Sequence, residues 1–479
     1  MKKLLALLMA VTLTFQLVTP VLAEENEETQ AAAEAVEVET EAPVTEVPTT
    51  EPPVPETAAP EETSAPTEPQ STTEITETTA STEETIAATE PTEETTEPAL
   101  DLFAEDGNVI ASGTCGAQGE NLTWVLAGDG TLTISGSGEM KDYSTSSVAP
   151  WYTKRTKILS VVVEDGVTCI GNYAFYACLK LASVTLPEGI KSIGNYGFQD
   201  CAKLAEVTIP DSVTSIGYDA FSGCISLTSV SIPKGVTSIG SSAFSGCSSL
   251  TSVTIPEGVT SISFEAFKGC SSLTSVTIPE GVTSIDWNAF SDCSSLTSVT
   301  IPESVTVIGN YAFQGCSSLT SVTILEGVTS IGSDAFSGCS SLTSVTIPES
   351  VTRIGAGAFS DCSSLTSVSI PESVTRISSY AFYCCSSLTR VNSPGGVTSI
   401  DSRSFQGCSS LTSVTIPESV TRISSYAFYG CSSLTSVTIS EGEKSNGASA
   451  FHACSSLTSV TIPEGVTSNG DRAFQGGSS

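Results

Sequence analysis

From about residue 155 to the end of the chain, apolar positions return in a fixed order. In "LTSVTIPEGVTSI" (residues 250–262) the apolar positions are Leu250, Val253, Ile255, Val259 and Ile262, and the rest are Ser, Thr, Pro, Glu and Gly. The alternation in "LTSVTIP" predicts a short strand with Leu250, Val253 and Ile255 turned inward and Ser252 and Thr254 outward. Pro256 and Gly258 then predict a turn. "VTSI" predicts a second short strand with Val259 and Ile262 inward, and the "SSAFSG" type of segment predicts a helical turn returning Ala243, Phe267 and their equivalents to the core.

The register repeats every 23 residues, as the cysteines from Cys178 through Cys201, Cys224 and Cys247 to Cys431 and Cys454 show without a slip. Phenylalanine keeps the same spacing, from Phe175 and Phe198 to Phe451 and Phe474. A fixed period in this range marks a solenoid, in which each unit stacks on its neighbours. Ile158, Val161, Val163, Val167 and Ile170 already fit the pattern, so about fourteen rungs run from 155 to 476. At ~4.8 Å per strand step the stack would be about 65 Å long. One rung buries about six large apolar side chains at about 1.5–3 kcal/mol each, against about 1.5 kcal/mol of conformational entropy for each of its residues. A rung alone cannot fold, so stacking is a structural requirement.

Three segments precede the repeats. Residues 1–23, "MKKLLALLMAVTLTFQLVTPVLA", have a positive start at Lys2 and Lys3, a short apolar run and a small-residue end at Ala23, which is the pattern of a signal peptide. Residues 24–100 form an acidic Thr/Glu/Pro-rich linker with 22 glutamates and no lysine or arginine. Such a composition cannot bury enough apolar surface to order itself, so a disordered, self-repelling spacer is expected. It carries 22 of the chain's 35 net negative charges, which argues against nucleic acid or an anionic membrane as partner. No membrane insertion is expected once the signal is cleaved. In residues 101–154, "TWVL" and "TLTIS" alternate as half-buried strands around "AGDG", a tight-turn signal. This segment, with Trp124 and Trp151, is assigned as a small β cap over the first rung, and residues 155–479 as the solenoid.

The unit C-x-x-L-x-x-V-x-I-P-x-x-V-x-x-I-G-x-x-A-F-x-G resembles the leucine-rich repeat class called the BspA or treponemal type, over about two thirds of the chain. The segment "LTWVLAGDGTLTISGSGEM…APW" is similar to the region preceding such repeats in secreted proteins of anaerobic bacteria. The resemblance implies a mainly β, right-handed leucine-rich-repeat solenoid. It also implies a secreted or cell-surface protein engaged in adhesion to host matrix or in coaggregation with other cells.

Sixteen cysteines in a secreted chain would ordinarily mean disulfides. Thirteen of them fall on one ladder whose parallel side chains suit a disulfide poorly, so a column of buried free thiols is expected. Cys115, Cys169 and Cys384 lie off that column, and a Cys115–Cys169 bridge stays open. Evenly spaced cysteines without a C-x-x-C pair give no zinc site, and the single His452 has no partner for metal or for a nucleophile. No Walker or zincin motif is present. No cofactor and no enzymatic activity are expected.

Binding positions are sought where the rungs vary. The two positions before Ala-Phe hold Tyr173, Tyr196, Tyr218, Phe264, Trp287, Tyr311, Tyr380 and Tyr426. Exposed aromatic rings are favoured anchors, although packing against the adjacent turn is the plainer reading, and Tyr311, Trp287 and Tyr380 are the candidates carried forward. Arg390 and Asn392 interrupt the Ser/Thr pair of the first strand, in a rung where Ser393 replaces the inward isoleucine; they mark either a recognition spot or repeat decay. The glutamate row Glu257, Glu280, Glu303, Glu326, Glu349, Glu372 and Glu418 repels itself along the stack, and weak calcium binding could relieve it.

Three functions compete. The first is recognition of a protein or glycan on host or bacterial surfaces through the solenoid face. The second is a passive spacer of the cell envelope. The third, a crystal-surface binder, would need a flatter and purer threonine lattice than the "SVT" rows supply. The chain stops at "FQGGSS", which fits either a released protein or a truncated one. Glu443, Asn446 and Asn469 stand at inward positions and Ser440 at the turn proline, so the last two rungs are expected to be the weakest.

Overall fold

A computed structural model describes residues 108–477, so the predicted signal peptide, the whole acidic linker and the first residues of the predicted cap segment lie outside the described residues. Fourteen pairs of short strands follow one another from Ser160–Val163 and Val167–Ile170 to Ser459–Thr461 and Ser468–Asn469. Strands one period apart pair in parallel and in register, Ser252 with Ser275, Val253 with Val276 and Thr254 with Thr277. The central "SVT" strands bury their valine and expose their two hydroxyl residues, because successive side chains of a strand point to opposite faces, while Val184 and Val460 near the ends of the stack are half-buried. Leu250, Val253, Ile255, Val259 and Ile262 are all buried.

Under these strands run two columns. Rings from Phe175 to Phe474 stack with centroids 5.1–5.6 Å apart. Beside them, the ladder cysteines are buried free thiols. Their S–H groups donate to the phenylalanine carbonyl of the preceding rung, as Cys247 Sγ does to Phe221 O at 3.2 Å and Cys270 Sγ to Phe244 O at 3.3 Å. The thiol thus fills the space of a small apolar residue and also pairs a buried carbonyl. Burial pushes the Cys224, Cys270 and Cys339 thiols up to about 12, so the nucleophilic thiolate is suppressed along the column.

The segment before each cysteine is not the helical turn that its sequence predicts. The residue two before phenylalanine is left-handed in every rung, Ser242 at φ 56° for example, and the residue two after it, most often glycine, is left-handed as well, Gly246 at φ 71°. Neither conformation continues a helix. The N–H groups bond across to the next rung instead, Ser242 to Phe264 O at 2.8 Å, Phe244 to Ala266 O at 2.9 Å and Gly246 to Lys268 O at 2.7 Å. This third face is therefore a ladder too. Among the described residues the one helical element is a 3-10 helix, Tyr152–Lys157.

The start of the stack is closed by β1 (Val109–Gly116), β2 (Gly119–Ala127), β3 (Thr131–Gly136) and β4 (Gly138–Glu139). β1 and β2 pair antiparallel, as do β2 and β3, whose turn is fixed by Asp129 Oδ1 accepting the Thr131 N–H at 2.8 Å. β3 then lies parallel to Ser160–Val163 and β4 parallel to Val167–Ile170, so the cap supplies both strands of a pseudo-rung. Trp151 begins the phenylalanine column. It stacks on Phe175 at 5.6 Å, and its indole N–H donates to Ala174 O at 2.7 Å. Cys115 and Cys169, left open above as a bridge, are both free. Cys169 Sγ donates to Met140 O at 3.8 Å while Cys115 is buried in the cap core.

The first-strand ladder breaks once, between Ser183–Thr185 and Glu206–Thr208, and then runs unbroken through twelve strands, whereas the second-strand ladder falls into three sheets. Its breaks follow Ile239 and Ile354, where a rung with glycine after the inward isoleucine (Gly240, Gly355) meets a rung with serine there (Ser263, Ser378). A Cβ on Gly240 or Gly355 would lie 2.5 or 2.4 Å from the backbone of the rung before, so glycine rungs stack too closely for a side chain. The first serine rung has to stand off. Its hydroxyl then replaces the lost backbone contact, Ser263 Oγ donating to Ile239 O at 2.7 Å and Ser378 Oγ to Ile354 O at 2.6 Å.

Candidate functional site

Several rows of surface hydroxyls are already committed to the scaffold. Thr251 Oγ1 donates to Thr228 O at 3.1 Å, Thr274 Oγ1 to Thr251 O at 3.2 Å, and the rows of Thr283, Thr306 and Thr329 and of Ser271, Ser294 and Ser317 repeat the arrangement. These side chains extend the rung-to-rung ladder and offer a partner only their remaining acceptor capacity. The outward pair of each first strand, such as Ser252 and Thr254, is exposed. Glu326 and Glu349 are also partly used, since their carboxylates accept the N–H of Ser350 at 3.3 Å and of Glu372 at 3.2 Å. Among the described residues no three acidic, histidine or cysteine side chains converge as a metal cage.

The aromatic side chains fall into two registers that the sequence list merges. Tyr218, Phe264 and Trp287 stand three residues before phenylalanine and are 42, 41 and 56% exposed. Tyr173, Tyr196, Tyr311, Tyr380 and Tyr426 stand two before it, at the left-handed position. All of these but Tyr380 are half-buried. Tyr311 is half-buried, so of the three proposed anchors Trp287 projects furthest and Tyr311 least. Tyr380 is 37% exposed and is engaged by Arg403, whose guanidinium reaches its hydroxyl and lies 5.5 Å from its ring and 5.3 Å from that of Tyr426. Positive φ is unfavourable for a bulky residue, and nothing in the fold requires tyrosine at those positions, since Asp219, Ser242 and Gly357 also occupy them.

Arg390 and Asn392 are exposed on the first strand, away from the turn that carries Tyr380. The five proposed site residues are therefore not gathered into one site. Ser393 beside them leaves its buried hydroxyl without a partner. A different cluster forms beside the cap. Tyr173 stacks on Tyr196 at 4.3 Å and meets Tyr176 edge-on at 5.6 Å, Tyr176 lies parallel to Tyr152, and Arg155 sits 4.0 Å over the Tyr152 ring. Tyr152, Tyr173 and Tyr176 line a cavity of about 210 Å³ with Val148, Ala149 and Ser144. Tyr152, Tyr176, Arg155 and Arg403 escaped the sequence reading. Three of them sit outside the register searched for aromatics, and the 23-residue spacing of Arg403 from Tyr380 and Tyr426 was the available signal.

A family model described as a BspA type leucine rich repeat region matches residues 151–271, 237–366 and 352–479. A leucine-rich repeat protein from Bacteroides ovatus has a similar solved structure, with 27% sequence identity and a TM-score of 0.58 over 73% of this chain and 98% of that one. A leucine rich cell surface protein from Faecalibacterium prausnitzii is 28% identical over 73% of this chain and 94% of that one, with a TM-score of 0.40. The Treponema pallidum leucine rich repeat protein is 30% identical over 37% of this chain and 88% of its own, with a TM-score of 0.31. No curated protein matches the chain.

Proposed function

Because the chain belongs to the BspA-type leucine-rich repeat family, we propose that it is a secreted or surface-displayed recognition protein that adheres to a protein or glycan of host matrix or bacterial surfaces. The observation that carries this reading is the set of projecting rings Tyr218, Phe264 and Trp287, each three residues before the core phenylalanine and more than 40% exposed, with Tyr380 at 37% one position further on. A ring held on a rigid ladder is pre-organised, so little ordering entropy is lost on contact. Repetition along the stack adds avidity on a multivalent surface even where each contact is weak. The acidic linker presents the solenoid and contributes few anchors of its own.

The test is adhesion of the secreted chain to immobilised matrix proteins and to whole bacterial cells. Replacing Trp287, Tyr311 and Tyr380 together by Ala should weaken adhesion about tenfold or more while leaving the melting temperature within a few degrees. Trp287 should account for most of the loss. The passive-spacer reading draws on the committed hydroxyl rows. It is the better account if neither the parent nor the variant adheres to any surface.

A further inference from the structure

The break after Ile354 carries a feature that its twin after Ile239 lacks. In the closed part of the ladder, Thr352 N–H donates to Thr329 O at 3.0 Å and Gly355 N–H to Ile331 O at 2.8 Å. At the break the equivalent N–H groups of Thr375 and Ser378 have no backbone acceptor, and the Ile354 carbonyl is taken by the Ser378 hydroxyl. A cavity of about 480 Å³ opens there, lined among others by Arg353, Arg376, Thr375, Ser378, Ser379 and Asp401. Both arginines are exposed and lie on successive rungs. The Arg376 Nε donates to the nearly buried Asp401 carboxylate, which orients that guanidinium; Arg353 has no acidic partner among the described residues. The positions matching Arg353 and Arg376 at the other break are Ser238 and Ser261.

Two guanidiniums against one carboxylate leave the cavity with a local charge of about +1, in a chain whose net charge is −35. The two like charges facing this opened step repel each other. An anion between them removes that repulsion and supplies the acceptors that the arginine forks and the freed N–H groups lack. Planar guanidinium forks match the oxygen spacing of sulfate and phosphate and bind them in bidentate fashion. Backbone N–H groups turned into a concavity favour the same ligands.

We propose that the opened step between Arg353 and Arg376 binds a tetrahedral oxyanion, the sulfate or phosphate ester of a surface polysaccharide. The cavity is larger than a bare oxyanion needs and opens to solvent, which leaves room for the sugar that bears the ester. No projecting ring lines this cavity, although Tyr380 directly follows its lining residue Ser379, and the proposal does not depend on the rings.

The experiment is retention of the full secreted chain on immobilised dextran sulfate, with neutral dextran as reference. The parent should be retained on the sulfated matrix only, and Arg353→Gln with Arg376→Gln should weaken retention about tenfold or more. Arg472→Gln, the charge control for Arg353→Gln alone, removes one positive charge at the far end of the stack and should leave retention unchanged. Arg353→Lys should recover only part of the affinity, because a lysine keeps the charge and loses the fork. Elution by inorganic sulfate at lower concentration than inorganic phosphate would assign a sulfate ester, and the reverse order a phosphate ester. If the double variant fails to fold, Arg353→Gln alone decides, since its side chain is exposed and holds nothing in place. The proposal is overturned if the parent is not retained, if the glutamine variant is retained as well as the parent, or if Arg472→Gln loses as much.

Discussion

Residues 220–380 and 440–477 share one template and differ in what they bury. In the first region every inward valine and isoleucine is in place, and the side chains are 8% exposed or less. In the second, Glu443 and Asn446 occupy those positions and are 0 and 2% exposed. One Glu443 oxygen accepts the Ile423 N–H at 3.3 Å and the other has no partner; Asn446 bonds Asn469 at 3.0 Å and leaves its own buried carbonyl oxygen unpaired. Asn469 itself is exposed on the last described rung. Ser440, standing where other rungs have the turn proline, recovers a contact by donating to Ile416 O. The first-strand ladder continues through both regions, and the second-strand ladder, broken after Ile239 and Ile354, is whole from Arg376 to Asn469, so the repeat geometry tolerates polar inward residues. What changes is the desolvation cost, about 1–3 kcal/mol for each buried unpaired group. The middle can therefore serve as a rigid mount for surface rings while the end opens more readily.

Thiol chemistry gives the largest contrast. Modification of the native chain by a maleimide should reach half-buried Cys384 and Cys169 first, and Cys247 to Cys339 at least about a hundredfold more slowly, because their buried thiols react only after the rung opens. Cys454 should be the earliest of the column to react. Mass spectrometry of timed samples checks the order, and a column that labels evenly would erase the difference between middle and end.

Acidity should shift the same boundary. Burial pushes the Glu443 carboxyl from 4.5 up to about 7, so the folded end holds its proton more tightly than the unfolded chain does. That contribution is fully present below about pH 4.5 and is lost as pH rises through 7, a change on the order of 3 kcal/mol. Exchange of residues 440–477 should accordingly be slower at pH 5 than at pH 8, after correction for intrinsic rates. Glu443→Gln should flatten the dependence.

Repairing the end should bring it closer to the middle. Asn446→Ile restores the template residue and leaves only the exposed Asn469 without its partner, so it should stabilise the last rungs by about 1–3 kcal/mol. The free energy of local opening, measured by exchange in that segment, should rise while the central rungs stay as they are.

Calcium should have the smallest effect. The glutamates of the post-strand row are spread one per rung, with Glu326 and Glu349 held by backbone N–H groups, so divalent ions can act on them only by screening. Millimolar calcium should raise the melting temperature slightly over chelator, and magnesium should do the same. A rise of several degrees specific to calcium would reveal a site that the side-chain arrangement does not show.

The period, the inward residues and the thiol column are legible in the sequence because each is repeated many times, and every repeat votes for the same face. The left-handed turn is not. "SSAFSG" has no proline and only one glycine, and its backbone is decided by hydrogen bonds to a rung 22 residues away, such as Phe244 to Ala266. Site residues are harder still. Trp287 and Tyr311 look alike in sequence, but a shift of one position relative to phenylalanine leaves one ring 56% exposed and the other half-buried. The break between Arg353 and Arg376 was hidden for a related reason: a glycine-to-serine step matters only through the close stacking it interrupts.

The most direct test is amide hydrogen exchange of the full chain at pH 7.5, resolved rung by rung. The hydrogen-bonded amides of residues 220–380 should exchange slowly and together, and those of residues 440–477 should open first, with the boundary falling near Glu443. Uniform protection to the end of the stack, or opening that begins in the central rungs, would contradict a rigid middle and a loosened end.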